Sequence, residues 1–219
     1  MYQVIGITKT LGYFASTCVL VFLVMHYKDI SVLVTGPLID LGRPISSAVT
    51  IGASVFWVLG QSPLFVWLCR VPLVRKYLPP IEGDWDMQLK SNWGIKQKWL
   101  GQGAGTSLIS VPGKVKIYAR LFSVKMEFTS ADRYSESKTI SVSVRSSDQT
   151  GLLELNYMFV NFTQIPVATD TNTHTGAARV FVKESGDELY MEGTYFTDRK
   201  WTEGLNTAGQ VTFTRAKSA

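Results

Sequence analysis

Two long apolar stretches in the first third of this 219-residue chain constrain its fold most. Residues 11–27 carry no charge and, with further apolar residues before them, reach the roughly 20 residues that cross a bilayer core. A second uncharged stretch, residues 49–69, is interrupted near Pro63. No small-residue cleavage site follows the first stretch, which disfavours a signal peptide. We therefore predict a transmembrane helical hairpin in residues 1–77, with spans at about 4–27 and 49–69.

The positive charge is concentrated beside these stretches. Residues 1–79 hold six Lys/Arg and two acidic residues, whereas the rest of the chain holds sixteen and fifteen, giving the net charge of +5. A DNA- or RNA-binding domain is not expected, because it needs a basic face on the folded part. Arg70, Arg75 and Lys76 follow the second stretch, so the positive-inside tendency places residues 78–219 in the cytoplasm. We expect a multi-pass protein that contacts anionic lipids.

After Pro80 the apolar residues recur with a period of two, which is typical of half-buried strands. Trp85, Met87 and Leu89 mark the first strand, and seven further runs follow near residues 113–121, 122–130, 137–146, 151–161, 176–184, 187–196 and 208–215. Eight strands without an intervening helical period indicate an up-and-down antiparallel barrel, with a sandwich as the alternative. The fold class is thus a helical hairpin followed by an all-β domain.

The start of the first strand favours the barrel. Gly83, Asp84 and Trp85 form a G-x-W opening that resembles lipocalins. In lipocalins this Trp closes the barrel floor against an Arg of the last strand, and Arg215 stands in the matching place.

Residues for catalysis or metal binding are scarce. The chain has two Cys, both in the apolar stretches, and two His, and it contains no G-x-S-x-G, HExxH, P-loop or CxxC motif. We expect no enzyme, no metal and no resident cofactor.

A binding pocket is the remaining possibility. Tyr157 and Asn161 share one face of the fifth strand, and Tyr195 shares a face of the seventh, which leads to Thr197 and Arg199. Tyr rings stack on bases and Arg forks onto phosphate. The alternative is that the aromatic residues fill a core and that Arg199 pairs with an acid near it in the chain, Asp198 or Glu203.

A series of short motifs, in order along nearly the whole chain, resembles the membrane-associated β-barrel effectors of CBASS, the bacterial cyclic-oligonucleotide-based anti-phage signalling systems. The motifs follow the two apolar stretches and are IEGDW (81–85), LKSNW (89–93), SES (135–137), LNYMF (155–159) with Asn161, HTG (174–176), EGTYFTDR (192–199) and the final strand (209–215).

The resemblance implies a function. In that family a cyclic nucleotide made during phage infection binds the barrel, the proteins assemble, and the bacterial inner membrane is disrupted in an abortive infection. The implied partners are a cyclic dinucleotide, membrane lipids and further copies of the chain, with the barrel in the cytoplasm. The predicted ligand-binding residues are Ser135, Ser137, Tyr157, Asn161, Tyr195, Thr197 and Arg199.

Two other functions stay open from the residues alone. One is a membrane-anchored, lipocalin-like carrier of an apolar ligand, and the other is a scaffold with a filled barrel. Polar cavity walls favour the effector, dry aliphatic walls favour the carrier, and the lack of a cavity favours the scaffold.

Overall fold

The computed structural model describes residues 1–102, 107–147, 153–186 and 188–216. The helices are α1 (Tyr2–Ile5), α2 (Ile7–His26), α3 (Ile30–Thr35), α4 (Gly42–Gln61), α5 (Pro63–Leu68), α6 (Pro72–Arg75) and α7 (Trp93–Trp99), with 3₁₀ turns at Leu38–Leu41 and Trp201–Glu203. The strands are β1 (Gly83–Ser91), β2 (Ile109–Ala119), β3 (Val124–Ser130), β4 (Ser135–Ser146), β5 (Leu153–Thr163), β6 (Thr173–Ser185), β7 (Glu188–Thr197) and β8 (Ala208–Arg215).

Helices α2 and α4 pack side by side as a hairpin. Phe14 and Phe56 meet edge to face with ring centroids 5.7 Å apart. A Cβ at Gly52 would lie 2.8 Å from Cys18 Sγ, so the missing side chain allows the helices to approach closely. Both helices are long and apolar enough to cross a membrane, and apolar side chains such as Leu20 are exposed on them. The pair is a candidate membrane hairpin.

The second helix is displaced from the predicted span. Its apolar stretch, residues 49–69, is divided because α4 ends at Gln61 and α5 begins at Pro63. Ser62 is extended, and its Oγ accepts a hydrogen bond from the Leu64 N–H. Proline has no N–H with which to continue the preceding helix. The candidate second span is therefore Ile39–Gln61, while the first, Ile7–His26, lies inside the predicted 4–27.

The eight strands form a closed antiparallel barrel in chain order, in which β1 pairs with both β2 and β8. The predicted fold class is confirmed, and the sandwich alternative is wrong. Alternate residues of each strand face inward, as Leu155 on β5 and Met191 on β7 do, both fully buried.

Trp85 and Arg215 close one end of the barrel. The two residues are directly paired across β1 and β8, and the Arg215 guanidinium lies 4.1 Å from the centroid of the Trp85 ring. Trp85 is 0% exposed and its Nε1 donates to the Ile81 carbonyl at 2.9 Å. Gly83, at φ +126°, leaves room for Arg215, because a Cβ there would lie 2.7 Å from Nη1. The predicted floor is thus present.

The closed end faces the helical hairpin. In the turn between β2 and β3, the Leu121 N–H donates to the Gly60 carbonyl at 2.9 Å and Arg120 Nε donates to the Gln61 carbonyl at 3.1 Å. Arg120 also forms an ion pair with Glu82, just before β1. These contacts join the end of α4 to the barrel floor, so the opposite end of the barrel points away from the hairpin.

Candidate ligand-binding cavity

A cavity of about 230 Å³ occupies the half of the barrel opposite Trp85. Its lower wall is apolar and includes Met87, Val115, Met126 and Phe213. Its upper wall carries polar side chains near the ends of the strands. The barrel is therefore not filled, which removes the scaffold with a filled barrel.

All seven residues predicted to bind a ligand line this cavity. Ser135 and Ser137 come from β4, Tyr157 and Asn161 from β5, Tyr195 and Thr197 from β7, and Arg199 from the segment after β7. The two-residue period puts the β5 and β7 members on the inner face, and closure of the sheet brings the three strands to one space.

Hydrogen bonds within and between neighbouring segments of the barrel order the polar side chains. Ser137 Oγ donates to Asn161 Oδ1 at 2.7 Å, and Asn161 Nδ2 donates to Thr163 Oγ1 at 3.4 Å. The Thr197 and Thr207 hydroxyls are 2.9 Å apart. These groups form a prearranged set of donors and acceptors around the upper wall.

The two tyrosines supply flat, uncharged surfaces. Tyr157 is half-buried and, like Tyr195, lines the cavity. Burial raises the pKa values of the Tyr157 and Tyr195 phenols above the ordinary value near 10. Both rings therefore stay protonated at neutral pH, which leaves each hydroxyl able to donate a hydrogen bond.

Arg199 is the main cationic group of the upper wall. Its guanidinium stacks on the Trp93 ring, 4.3 Å from the centroid, and its Nε donates to the Leu205 carbonyl at 3.3 Å. Nη1 is 3.7 Å from Asp170 Oδ2, and the Arg199 and Asp170 side chains are only 12% and 7% exposed. Nη2 is buried and finds no hydrogen-bond partner among the residues that the structure describes.

The acids considered from the sequence bind elsewhere. Asp198 Oδ1 accepts a hydrogen bond from the Thr175 N–H at 2.6 Å, and Glu203 pairs with Lys200 at 3.4 Å. The ion-pair partner of Arg199 is Asp170, in the loop between β5 and β6, so the expectation of Asp198 or Glu203 is wrong. Closeness in the sequence was a poor guide to the partner of Arg199, because the barrel brings two separate loops together.

Two further basic residues, Lys96 and His174, lie close to Arg199. Lys96 is buried beside the loop after β7, with Nζ 3.3 Å from Asn206 Oδ1. Burial, assisted by the Arg199 charge, lowers the pKa of Lys96, and burial likewise lowers the pKa of His174. The His174 ring is thus neutral at neutral pH, and its Nδ1 is buried without a partner in the described part of the chain. The wall can accept an anion with hydrogen-bonding groups.

Several other wall residues were not predicted as ligand contacts, among them Trp93, Asp170 and His174. Trp93 and His174 lie in the motifs LKSNW and HTG, and these motifs are the sequence signal that could have identified them. Asp170 lies in a loop without periodicity, so no pattern in the sequence indicated it.

A scan against protein families finds none that matches this chain. A search of known proteins finds the CD-NTase-associated protein 15 of Escherichia albertii, which is 29% identical over 174 residues. The matched region covers 78% of this chain and 81% of the relative. This similarity supports a CBASS-related protein with a role in anti-phage defence.

Proposed function

We propose that the barrel binds a cyclic dinucleotide made during phage infection, and that binding makes the chain oligomerise and disrupt the bacterial inner membrane. The protein acts in this proposal as a sensor and effector, not as an enzyme. The observation that carries the proposal is Arg199, a largely buried guanidinium in the wall of a cavity that also holds two tyrosine rings; its Nη2 has no hydrogen-bond partner among the described residues.

The chemistry of the cavity matches the parts of such a ligand. Phosphates need a cation and donors, which Arg199 supplies as a planar fork and Thr197 as a hydroxyl. Bases need flat faces, which Tyr157 and Tyr195 supply. Ser137 and Asn161 add hydrogen-bonding groups for base or ribose edges.

The cavity volume sets how such a ligand enters. About 230 Å³ is less than the roughly 300–1,000 Å³ of typical small-molecule pockets. We infer that one base enters the barrel while the phosphates stay at the upper wall near Arg199. Either the other base stays outside or the wall opens.

The hairpin supplies the membrane part of the proposal. Exposed apolar side chains on α2 and α4, among them Val24 and Trp57, suit contact with lipid tails. The contacts of Leu121 and Arg120 with the end of α4 give a physical link from barrel to hairpin. We place the barrel in the cytoplasm, on the side where Arg75 and Lys76 lie.

The test is ligand binding by the full chain in detergent micelles. Melting scans are recorded with cyclic di-GMP, cyclic di-AMP, cyclic GMP-AMP and a cyclic trinucleotide. A ligand at a hundred times its dissociation constant stabilises a fold by about 2.7 kcal/mol, which gives a clear shift in Tm. Arg199→Ala and Tyr157→Ala should remove the shift. Arg145→Ala, an arginine on the outer face, is the matched control and should keep it.

Two outcomes would contradict the proposal. If the wild type shows no shift with any cyclic nucleotide, the sensor function is wrong; a shift with fatty acids instead would support the apolar-ligand carrier. If a binding nucleotide releases no dye from liposomes containing the full chain, membrane disruption is wrong.

A further inference from the structure

The loop between β5 and β6 places a carboxylate against the main cation of the cavity. Asp170 Oδ2 is 3.7 Å from Arg199 Nη1, close enough for an ion pair but too far for a hydrogen bond. Both side chains are almost fully buried. The charge of Arg199 is thus balanced while the guanidinium is not fully hydrogen-bonded.

The remaining donors of Arg199 are not all paired with hydrogen-bond acceptors among the described residues. Nε is used by the Leu205 carbonyl, and Nη2 has no hydrogen-bond partner within the described residues. A guanidinium binds best to an anion whose two oxygens meet two of its nitrogens. Asp170 does not offer this geometry, whereas a phosphate placed next to Nη1 and Nη2 does.

We propose that Asp170 is a resident anion: its carboxylate pairs with the Arg199 guanidinium in the empty protein and is displaced by a phosphate of the ligand. The proposal rests on the function given above and adds its regulation, because the carboxylate competes with the ligand. Asp170 is a positioning residue that sets the ligand concentration needed for binding.

The same carboxylate holds its loop, residues 164–172, to the upper wall. Asp170 Oδ2 accepts a hydrogen bond from the Tyr134 hydroxyl at 3.2 Å, and this hydroxyl accepts one from the Val167 N–H at 3.3 Å. Lys200 Nζ donates to the Ala168 carbonyl at 2.7 Å. A phosphate on Arg199 would repel the buried carboxylate and release the loop. Ligand binding inside the cavity would thereby change the outer surface of the protein.

A neighbouring acid provides the control. Asp198 lies one residue before Arg199, yet its carboxylate is directed to the N–H and hydroxyl of Thr175. Removing its charge changes the net charge as much as the change at Asp170 does. If phosphate binds more tightly only because the protein has become more positive, both variants should show the gain. If it binds more tightly because the competing carboxylate is lost, only the Asp170 variant should show it.

The test titrates inorganic phosphate, and separately cyclic di-GMP, cyclic di-AMP and cyclic GMP-AMP, into the full chain in detergent micelles. Asp170→Asn should bind phosphate about tenfold more tightly than the wild type, because one charged competitor is lost. Asp198→Asn should match the wild type. Asp170→Ser, which removes the charge and shortens the side chain, is the second variant in case Asp170→Asn folds poorly.

The results separate the two proposals. If the Asp170 variants bind phosphate more tightly but no form of the protein binds a cyclic dinucleotide, the resident-anion proposal is supported and the sensor function is refuted. Cyclic dinucleotide binding by the wild type that is unchanged or weaker in the Asp170 variants would keep the sensor and overturn the resident anion. Phosphate binding that is unchanged or absent in all variants would overturn it as well.

Discussion

The barrel floor offers the sharpest test of how the fold is stabilised. Trp85→Ala removes a fully buried indole from the closed end of the barrel, and such truncations cost about 3–5 kcal/mol. Trp85→Phe keeps an aromatic ring but loses the hydrogen bond to the Ile81 carbonyl, so we expect about 1–2 kcal/mol.

Arg215 contributes to the same floor through its charge and its donors. Its Nη1 donates to the Glu82 carbonyl at 2.6 Å and Nη2 donates to the Pro80 carbonyl. Burial lowers the pKa of Arg215 to about 10, so the guanidinium remains charged at neutral pH over the Trp85 ring. A double-mutant cycle of Trp85→Ala with Arg215→Met should give a coupling energy of about 0.5–2 kcal/mol.

The assay is urea unfolding of the full chain in detergent micelles, followed by the far-ultraviolet circular dichroism of the strands. Trp201→Ala is the matched control, because Trp201 is an exposed tryptophan after β7 and should change stability by less than about 0.5 kcal/mol. If Trp85→Ala were no more destabilising than Trp201→Ala, the floor would not stabilise the barrel.

Two further predictions concern the outer face of the barrel and the hairpin. Hydrogen bonds from Arg179, together with those from Asn156 and Arg145, lower the pKa of Glu154 from 4.5 to about 2. The ionised Glu154 therefore stabilises the fold fully above about pH 4.5, and this stabilisation is lost as the pH falls through about 2. Melting scans should show this acid loss in the wild type and a smaller one in Glu154→Gln, and equal losses would refute the assignment. Gly52→Leu should lower the Tm of the full chain by separating α2 from α4, whereas Gly12→Leu, whose Cβ meets no described atom within 4 Å, should not.

Local sequence pattern was sufficient for the strands and for one face of the cavity. Tyr157 and Asn161 are four residues apart on β5, and an extended chain must put both on the same side. The same rule oriented Tyr195 and Thr197 on β7. Which face turns inward was also predictable, because Leu155 and Met191 share it and apolar side chains leave water.

Helix ends were less predictable. Hydropathy alone treated residues 49–69 as one span, since apolar residues continue on both sides of Pro63. The missing N–H of Pro63 and the capping hydroxyl of Ser62 end α4 at Gln61 and start another helix. Apolar character shows that a segment avoids water, while backbone hydrogen bonds fix where each helix stops.

The sequence by itself determined the eight strands, the apolar hairpin and the inward set that ends at Thr197, because periodicity and hydropathy are local properties of the chain. Only the tertiary structure decided the surroundings of Arg199. Trp93 on α7, Asp170 before β6 and Leu205 before β8 reach the guanidinium from separate segments at one end of the barrel. These contacts exist because closing the sheet brings distant loops together, and no local pattern encodes that closure.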